Sequence, residues 1–186
     1  MFVPPHEHRR SDVPELTCVL FLHIPCKEQI GYIETLADDQ LTGSSRESIH
    51  KSYERSRLHT QLDGDDYGGW TPETNSVGEF IQADLGAVRR IEKVATQGLS
   101  SRSHWVTSYK FGYSVDRSTH SFIQNNAGSE VVFTGNIDKN TVVEHTFDTA
   151  VEARYVRVYP QTWTFNIAMR WEVYGCEIGK MGGLWQ

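Results

Sequence analysis

Glu79-Phe80-Ile81-Gln82-Ala83-Asp84-Leu85-Gly86, running on through Ile91 to Gln97-Gly98, is the stretch on which the fold reading turns. Phe80 to Leu85 sets apolar residues at alternate positions with polar ones between them, the pattern of a strand covered on one face. Gly86 permits a turn. Ile91, Val94 and Ala95 then restart an apolar segment that stops at Gly98, and no helical period appears near it. The pair reads as the middle of an all-β sandwich.

Moving outward, the same period of two returns in Trp105, Thr107, Tyr109, Phe111, Tyr113 and Val115, which alternate with Ser108, Lys110, Gly112 and Ser114. Val131-Val132-Phe133 and Thr141-Val142-Val143 are β-branched runs on either side of a turn-like Thr134 to Asn140. Tyr155 to Tyr159 and Met169 to Tyr174 complete the set. Short strands at this spacing argue for a sandwich or a barrel. Two long polar loops, Ser44 to Ser56 and Gln61 to Gly78, separate the early strands.

A chain of 186 residues supplies one domain of ordinary size with short tails. The formal charge is −6, and the densest basic pairs are Arg9-Arg10 and Arg89-Arg90. Without a clustered positive surface, nucleic acid is excluded as a partner and an anionic membrane is disfavoured. Catalysis finds no support either. There is no Gly-x-Ser-x-Gly, no His-Glu-x-x-His and no glycine loop for phosphate, and the 8 histidines are scattered. No metal or cofactor is expected. The acidic turn Asp63-Gly64-Asp65-Asp66 fails calcium-loop spacing, with Tyr67 where a ligand belongs, and reads as a solvated turn.

The three cysteines are Cys18, Cys26 and Cys176. No C-x-x-C pair is present, so zinc is not indicated. Cys26 and Cys176 bracket the β-rich region and suit a staple between its ends. Closing so long a loop would stabilise by about 5 kcal/mol at most, and such a bridge places the chain in an oxidising compartment. Residues 1–25 read as an N-terminal extension. Leu16 to Ile24 is apolar but lacks a small-residue cleavage site and is too short to span a bilayer, so a truncated or preceding segment fits better than a signal peptide. Residues 177–186 read as a frayed tail in which Trp185 has no assigned role.

From Cys26 onward the chain resembles the discoidin domains, also called coagulation factor V/VIII type C domains. The matching pieces are Ile30-Gly31, Asp39 to Thr42, Glu54 to Leu58, Gly69-Trp70-Thr71-Pro72, Phe80 to Gly86 and Ala95 to Gly98. They continue through Trp105 to Lys110, Phe133 to Asn136, Ala153 to Arg157 and Met169 to Cys176. These pieces are collinear, cover residues 26–176, and are most similar in flavour to neuropilin b-type domains. The resemblance implies an eight-stranded antiparallel jelly-roll-like β-sandwich of galactose-binding-domain type, closed by a Cys26–Cys176 bridge. It also implies that ligands are taken by loops at one end.

Those loops are Ser44 to Tyr53, the segment after Gln97-Gly98, and the segment around Trp163. Coagulation factors and lactadherin carry apolar side chains there that enter phosphatidylserine membranes. Here only Ile49 and Leu99 offer anchors, at about 1.5–3 kcal/mol each, a weak hold for an acidic chain on an anionic surface. Neuropilin b-type domains instead hold a terminal arginine between two aromatics, a threonine, an aspartate and second-loop hydroxyls. In this chain the threonine is kept as Thr71, but the aromatic positions fall on Glu47 and Lys51 and the aspartate on Asn75. Without that carboxylate the guanidinium lacks its bidentate partner, so the arginine pocket is expected not to function. Glu47, beside Arg46, reads as a solvated surface residue.

The candidate ligand residues are therefore Glu47, Ile49, His50, Lys51, Thr71, Asn75, Leu99, Ser100, Ser101, Trp163 and Phe165. Trp163 and Phe165 are able to stack on a sugar or pack on a partner, with Phe165 the better exposed and Trp163 equally suited to capping the core. The expected function is a non-enzymatic, secreted or cell-surface module that binds a protein or matrix ligand. Glycan is the alternative and phosphatidylserine membrane the weaker one. The domain reads as part of a longer multidomain chain.

Overall fold

The computed structural model describes Cys26 and residues 29–178. Residues 1–25, Cys18 among them, and the tail from residue 179 with Trp185 lie outside the described residues. The described part holds eight strands: β1 (Ile30–Gly31), β2 (Leu41–Gly43), β3 (Ile81–Gln97), β4 (Trp105–Ser114), β5 (Ser121–Phe122), β6 (Phe133–Thr134), β7 (Val143–Thr164) and β8 (Arg170–Glu177). All strand pairs are antiparallel. Their order is β1-β8-β3-β7-β4-β5, with β2 beside β3 and β6 beside β4.

The decisive stretch is one continuous strand of 17 residues rather than two strands joined by a turn. The break is still visible in its pairing. Register shifts between Asp84 and Arg89, where Gly86 takes φ +75°, a left-handed value that favours glycine. Gly86 N donates to Asp84 Oδ1 at 2.9 Å, and Arg154 of β7 grips both Asp84 oxygens at 2.8 and 3.0 Å. The bend is thus fixed from inside the ribbon. Before it, β3 pairs with β2 and the second half of β7; after it, with β8 and the first half of β7. The runs around Val143 and Tyr155 are likewise one strand, the 22-residue β7. Because β3 and β7 bend together, their halves serve two facing layers, and Phe111 of β4 meets Phe147 of β7 at 5.0 Å between ring centres.

Between the layers lie Trp70, Trp171, Tyr109, Phe111, Ile33 and Ile167, all fully buried. Each contributes about 1.5–3 kcal/mol of burial. The Cys26–Cys176 bridge forms, with Cα atoms 5.6 Å apart across 150 residues. Glu92 accepts from Cys26 N at 3.1 Å and seats it against β3. Within the first polar loop, Ile49–Lys51 and Tyr53–Ser56 wind into 3₁₀ helices, too short to show a period. One local reading is corrected. Val131-Val132 is not strand: Val131 N bonds Ile123 O beside an isolated Gln124–Glu130 bridge, and Val132 is exposed. No helix among the described residues is long and apolar enough to cross a membrane.

Candidate functional site

The loops at one end are held to the sandwich by two buried charged side chains. Arg170, at the start of β8, is 0% exposed and donates to Gly98 O at 2.7 Å, Thr60 O at 2.9 Å and Lys139 O at 2.6 Å. Three loops thereby meet on one guanidinium. Burial alone draws its pKa down to about 10, which leaves it cationic at neutral pH. Glu79 does the matching work for the first loop. Its carboxylate accepts from the hydroxyls of Ser44, Ser45 and Thr74, and these donors hold its pKa low against burial, which acts to raise it. Gly98 has no room for a side chain, since a Cβ would lie 2.8 Å from His104 O and 2.9 Å from Lys139 Cα.

On this frame the loops close over one another through backbone bonds. Glu47 N donates to Thr71 O at 2.8 Å, Thr71 N to Lys51 O at 3.3 Å, Tyr67 N to His50 O at 2.8 Å, and Ser100 N to Gly68 O at 2.9 Å. Their side chains form a compact polar cluster. Lys51 Nζ donates to Glu47 Oε2 at 2.6 Å and stands 4.9 Å from the centre of the Tyr67 ring. Arg102 donates to Tyr67 OH at 3.1 Å and also lies near that ring, at 5.4 Å. His104 is next, with its ring 6.0 Å from that of Phe165. Burial lowers the His104 pKa, Lys51 and Arg102 lower it further, and Glu47 opposes them, so the imidazole is neutral at pH 7.

Four buried polar atoms here have no hydrogen-bond partner among the described residues: Thr71 Oγ1, Ser100 Oγ, Ser101 Oγ and His104 Nδ1. Such atoms cost about 1–3 kcal/mol each when left unsatisfied. The exposed apolar side chains of these loops include Ile49 at 66%, Val77 at 66% and Phe165 at 74%. Phe165 also has φ +60°, a strained conformation for a bulky residue.

The structure brings most of the residues read from the sequence to this end, with corrections. Leu99 is 0% exposed and packs beneath Gly69, so it is core and not an apolar anchor. Trp163 is half-buried against the core and caps it. Glu47 is not merely solvated, because its ion pair holds Lys51, only 8% of which is exposed. His50 pairs with Asp66 at 2.9 Å. Asn75 donates to Asn166 Oδ1 at 3.0 Å and accepts from Ile167 N at 2.7 Å, so it fixes the segment that presents Phe165. Tyr67, Arg102 and His104 were missed. An aromatic amid turn residues after Asp63-Gly64-Asp65-Asp66 was the available signal for Tyr67; nothing in the sequence marks Arg102 or His104.

Among the described residues, no group of three or more His, Cys, Asp or Glu gathers to hold a metal. Two small clefts, about 180 and 140 Å³, share Ile123 and Gln124 beside the first half of β7, and neither is lined by a residue of the loop cluster.

The family model described as F5/8 type C domain matches residues 40–173. Neuropilin-1 of Homo sapiens is 38% identical over 157 residues, which is 82% of this chain and 16% of that protein. Lactadherin of Bos taurus is 32% identical over 161 residues, 81% of this chain and 37% of that protein. The chain thus spans well under half the length of these relatives. Among solved structures, native recombinant discoidin II of Dictyostelium discoideum superposes with TM-score 0.67 at 26% identity, covering 74% of this chain and 55% of that one. The family 32 CBM from C. perfringens NanJ in complex with galactose gives TM-score 0.56 at 13% identity, covering 79% and 99%. That likeness is one of fold.

Proposed function

The chain belongs to the F5/8 type C domain family, and from that premise we propose that it is a non-enzymatic, secreted or cell-surface module whose loop end binds a protein or matrix ligand. The observation that carries this reading is Phe165. A large apolar side chain that is 74% exposed and held at φ +60° carries two penalties at once, and side chains so placed cluster where ligands are gripped. Ile49 is a second exposed apolar side chain of these loops, next in sequence to the polar His50 and Lys51. An apolar anchor beside satisfiable polar groups is the anatomy of a protein interface. The Cys26–Cys176 bridge supports an oxidising, extracellular setting.

A glycan is the second reading, favoured by the Phe165 ring beside unpartnered Ser and Thr hydroxyls. Phosphatidylserine membrane is weaker, because Leu99, one of the two apolar anchors read from the sequence, is buried, and the chain's formal charge of −6 opposes an anionic surface. The test is binding of the disulfide-intact chain to immobilised matrix proteins, a glycan array and phosphatidylserine vesicles, against Phe165→Ser and Ile49→Ser. Matrix binding that falls at least ~10-fold in the variants supports the proposal, as expected when a buried anchor is truncated. Vesicle binding unaffected by either variant refutes it.

A further inference from the structure

We infer that the ligand of this loop end is acidic: a protein segment with a Glu or Asp carboxylate flanked by apolar residues, its carboxylate seated between Lys51 and Arg102. The inference deepens the proposal above and rests on it.

The chain as a whole carries formal charge −6, yet two cations, Lys51 and Arg102, meet around one tyrosine in this site. Lys51 is 8% exposed, and of its three N–H donors one is used by Glu47. Its other neighbour is the face of the Tyr67 ring. Arg102 donates to the Tyr67 hydroxyl and has no carboxylate partner among the described residues. Tyr67 therefore bridges two cations, and the spare donors of both remain to be used. The single carboxylate set against them is Glu47, whose side chain is 42% exposed. It is free to swing outward when a stronger acceptor arrives. Asp66 nearby is engaged by His50 at 2.9 Å.

Thr71 adds an independent observation. It is 2% exposed, its backbone is fully engaged by Glu47 and Lys51, and its hydroxyl has no partner. A ligand carboxylate offers the acceptor oxygens that the two cations lack. A basic ligand finds the reverse: Lys51 and Arg102 repel it, and Glu47 is already paired. The rim decides between peptide and sugar. Phe165 alone offers a flat ring for a pyranose and Ile49 offers none, whereas both suit the apolar side chains of a peptide.

The experiment uses the disulfide-intact chain and short peptides carrying Glu between Leu or Phe residues, with Gln and Lys versions of each. The Glu peptides are expected to bind roughly 10- to 100-fold more tightly than their Gln versions, the effect of one charge-assisted hydrogen bond. Arg102→Gln, at an exposed side chain, removes most of that preference, and Lys51→Gln removes it too if the variant folds. Glu47→Gln increases affinity, because it deletes the competing carboxylate; a merely structural role for Glu47 predicts no such gain. Equal binding of Glu and Gln peptides, preference for Lys, no binding tighter than ~1 mM, or a uronate oligosaccharide that binds better than any peptide overturns the inference. If Phe165→Ser and Ile49→Ser abolish matrix binding while the charge variants do not, the site stands and the acidic ligand falls. If the loop variants bind matrix unchanged, both fall.

Discussion

Replacing Arg170 by Met removes the side chain on which three loops of the candidate site converge. The magnitude follows from two opposed effects. Losing the guanidinium, itself 0% exposed, strands the buried Gly98 O and the part-buried Thr60 O and Lys139 O, which it holds at 2.6–2.9 Å. Unsatisfied buried carbonyls cost about 1–3 kcal/mol each, so the gross loss is about 3–6 kcal/mol after partial relaxation. Against this, Met spares the desolvation of a buried cation, which is what draws the Arg170 pKa down to about 10. Met also fills much of the same volume. The balance leaves a destabilisation of about 2–4 kcal/mol, which in a domain of this size lowers Tm by roughly 5–15 °C.

Thermal unfolding followed by circular dichroism reads the total, and hydrogen exchange reads its location. Exchange is expected to rise around residues 58–61, 97–104 and 135–141, with little change in β4 or at the β3–β7 bend. Arg170→Lys recovers only part of the loss, since a single ammonium cannot reach three divergent carbonyls. If the Met variant melts within ~1 °C of the parent, the desolvation of Arg170 outweighs its bonds and the frame proposed for the loops is wrong.

Further outcomes follow from the same reasoning. Phe165→Gly relieves the positive φ and is expected to stabilise the fold by about 1 kcal/mol while weakening ligand binding, a pairing that calorimetry and a binding titration check together. Burial and Arg157 hold the His120 pKa down to about 4, below its unfolded value near 6.5. Its contribution is therefore fully present above pH 6.5 and is lost as pH falls towards 4, because the unfolded chain takes up the proton first. The Tm of His120→Gln should fall less than that of the parent between those pH values, and identical profiles would contradict the assignment. Reducing the Cys26–Cys176 bridge, or replacing both cysteines by Ala, is expected to cost about 2–5 kcal/mol in denaturant unfolding.

The sequence exposed the sandwich because its strands are amphipathic: Ile81, Ala83 and Leu85 face the core on alternate positions, as do Tyr109 and Phe111. It hid the continuity of β3 and β7. A glycine at a left-handed φ looks like the end of a strand when it is a bend inside one, and only the grip of Arg154 on Asp84 tells the two apart. Thr71, Asn75 and Phe165 could be placed at the loop end by their likeness to known loops. Their roles could not. Asn75 sits where a ligand acid was sought, yet it clamps Asn166 and Ile167, a contact across more than 90 residues that no local pattern records.

The same distance effect explains why Leu99 misled and Arg102 went unseen. Both lie in the short segment Leu99-Ser100-Ser101-Arg102-Ser103-His104, where an apolar residue looks like a membrane tip and an arginine like surface. The segment is pinned at both ends, by Leu99 N to His104 O at 2.9 Å and by Gly98 O to the buried Arg170. That double pinning turns Leu99 inward under Gly69 and leaves Arg102 projecting over Tyr67. A loop's composition therefore fixes what it can offer a ligand, but the buried anchor beneath it fixes which side chain is offered. In this domain that anchor is Arg170, so changes at its three carbonyl loops should alter ligand choice even when no contacting residue is touched.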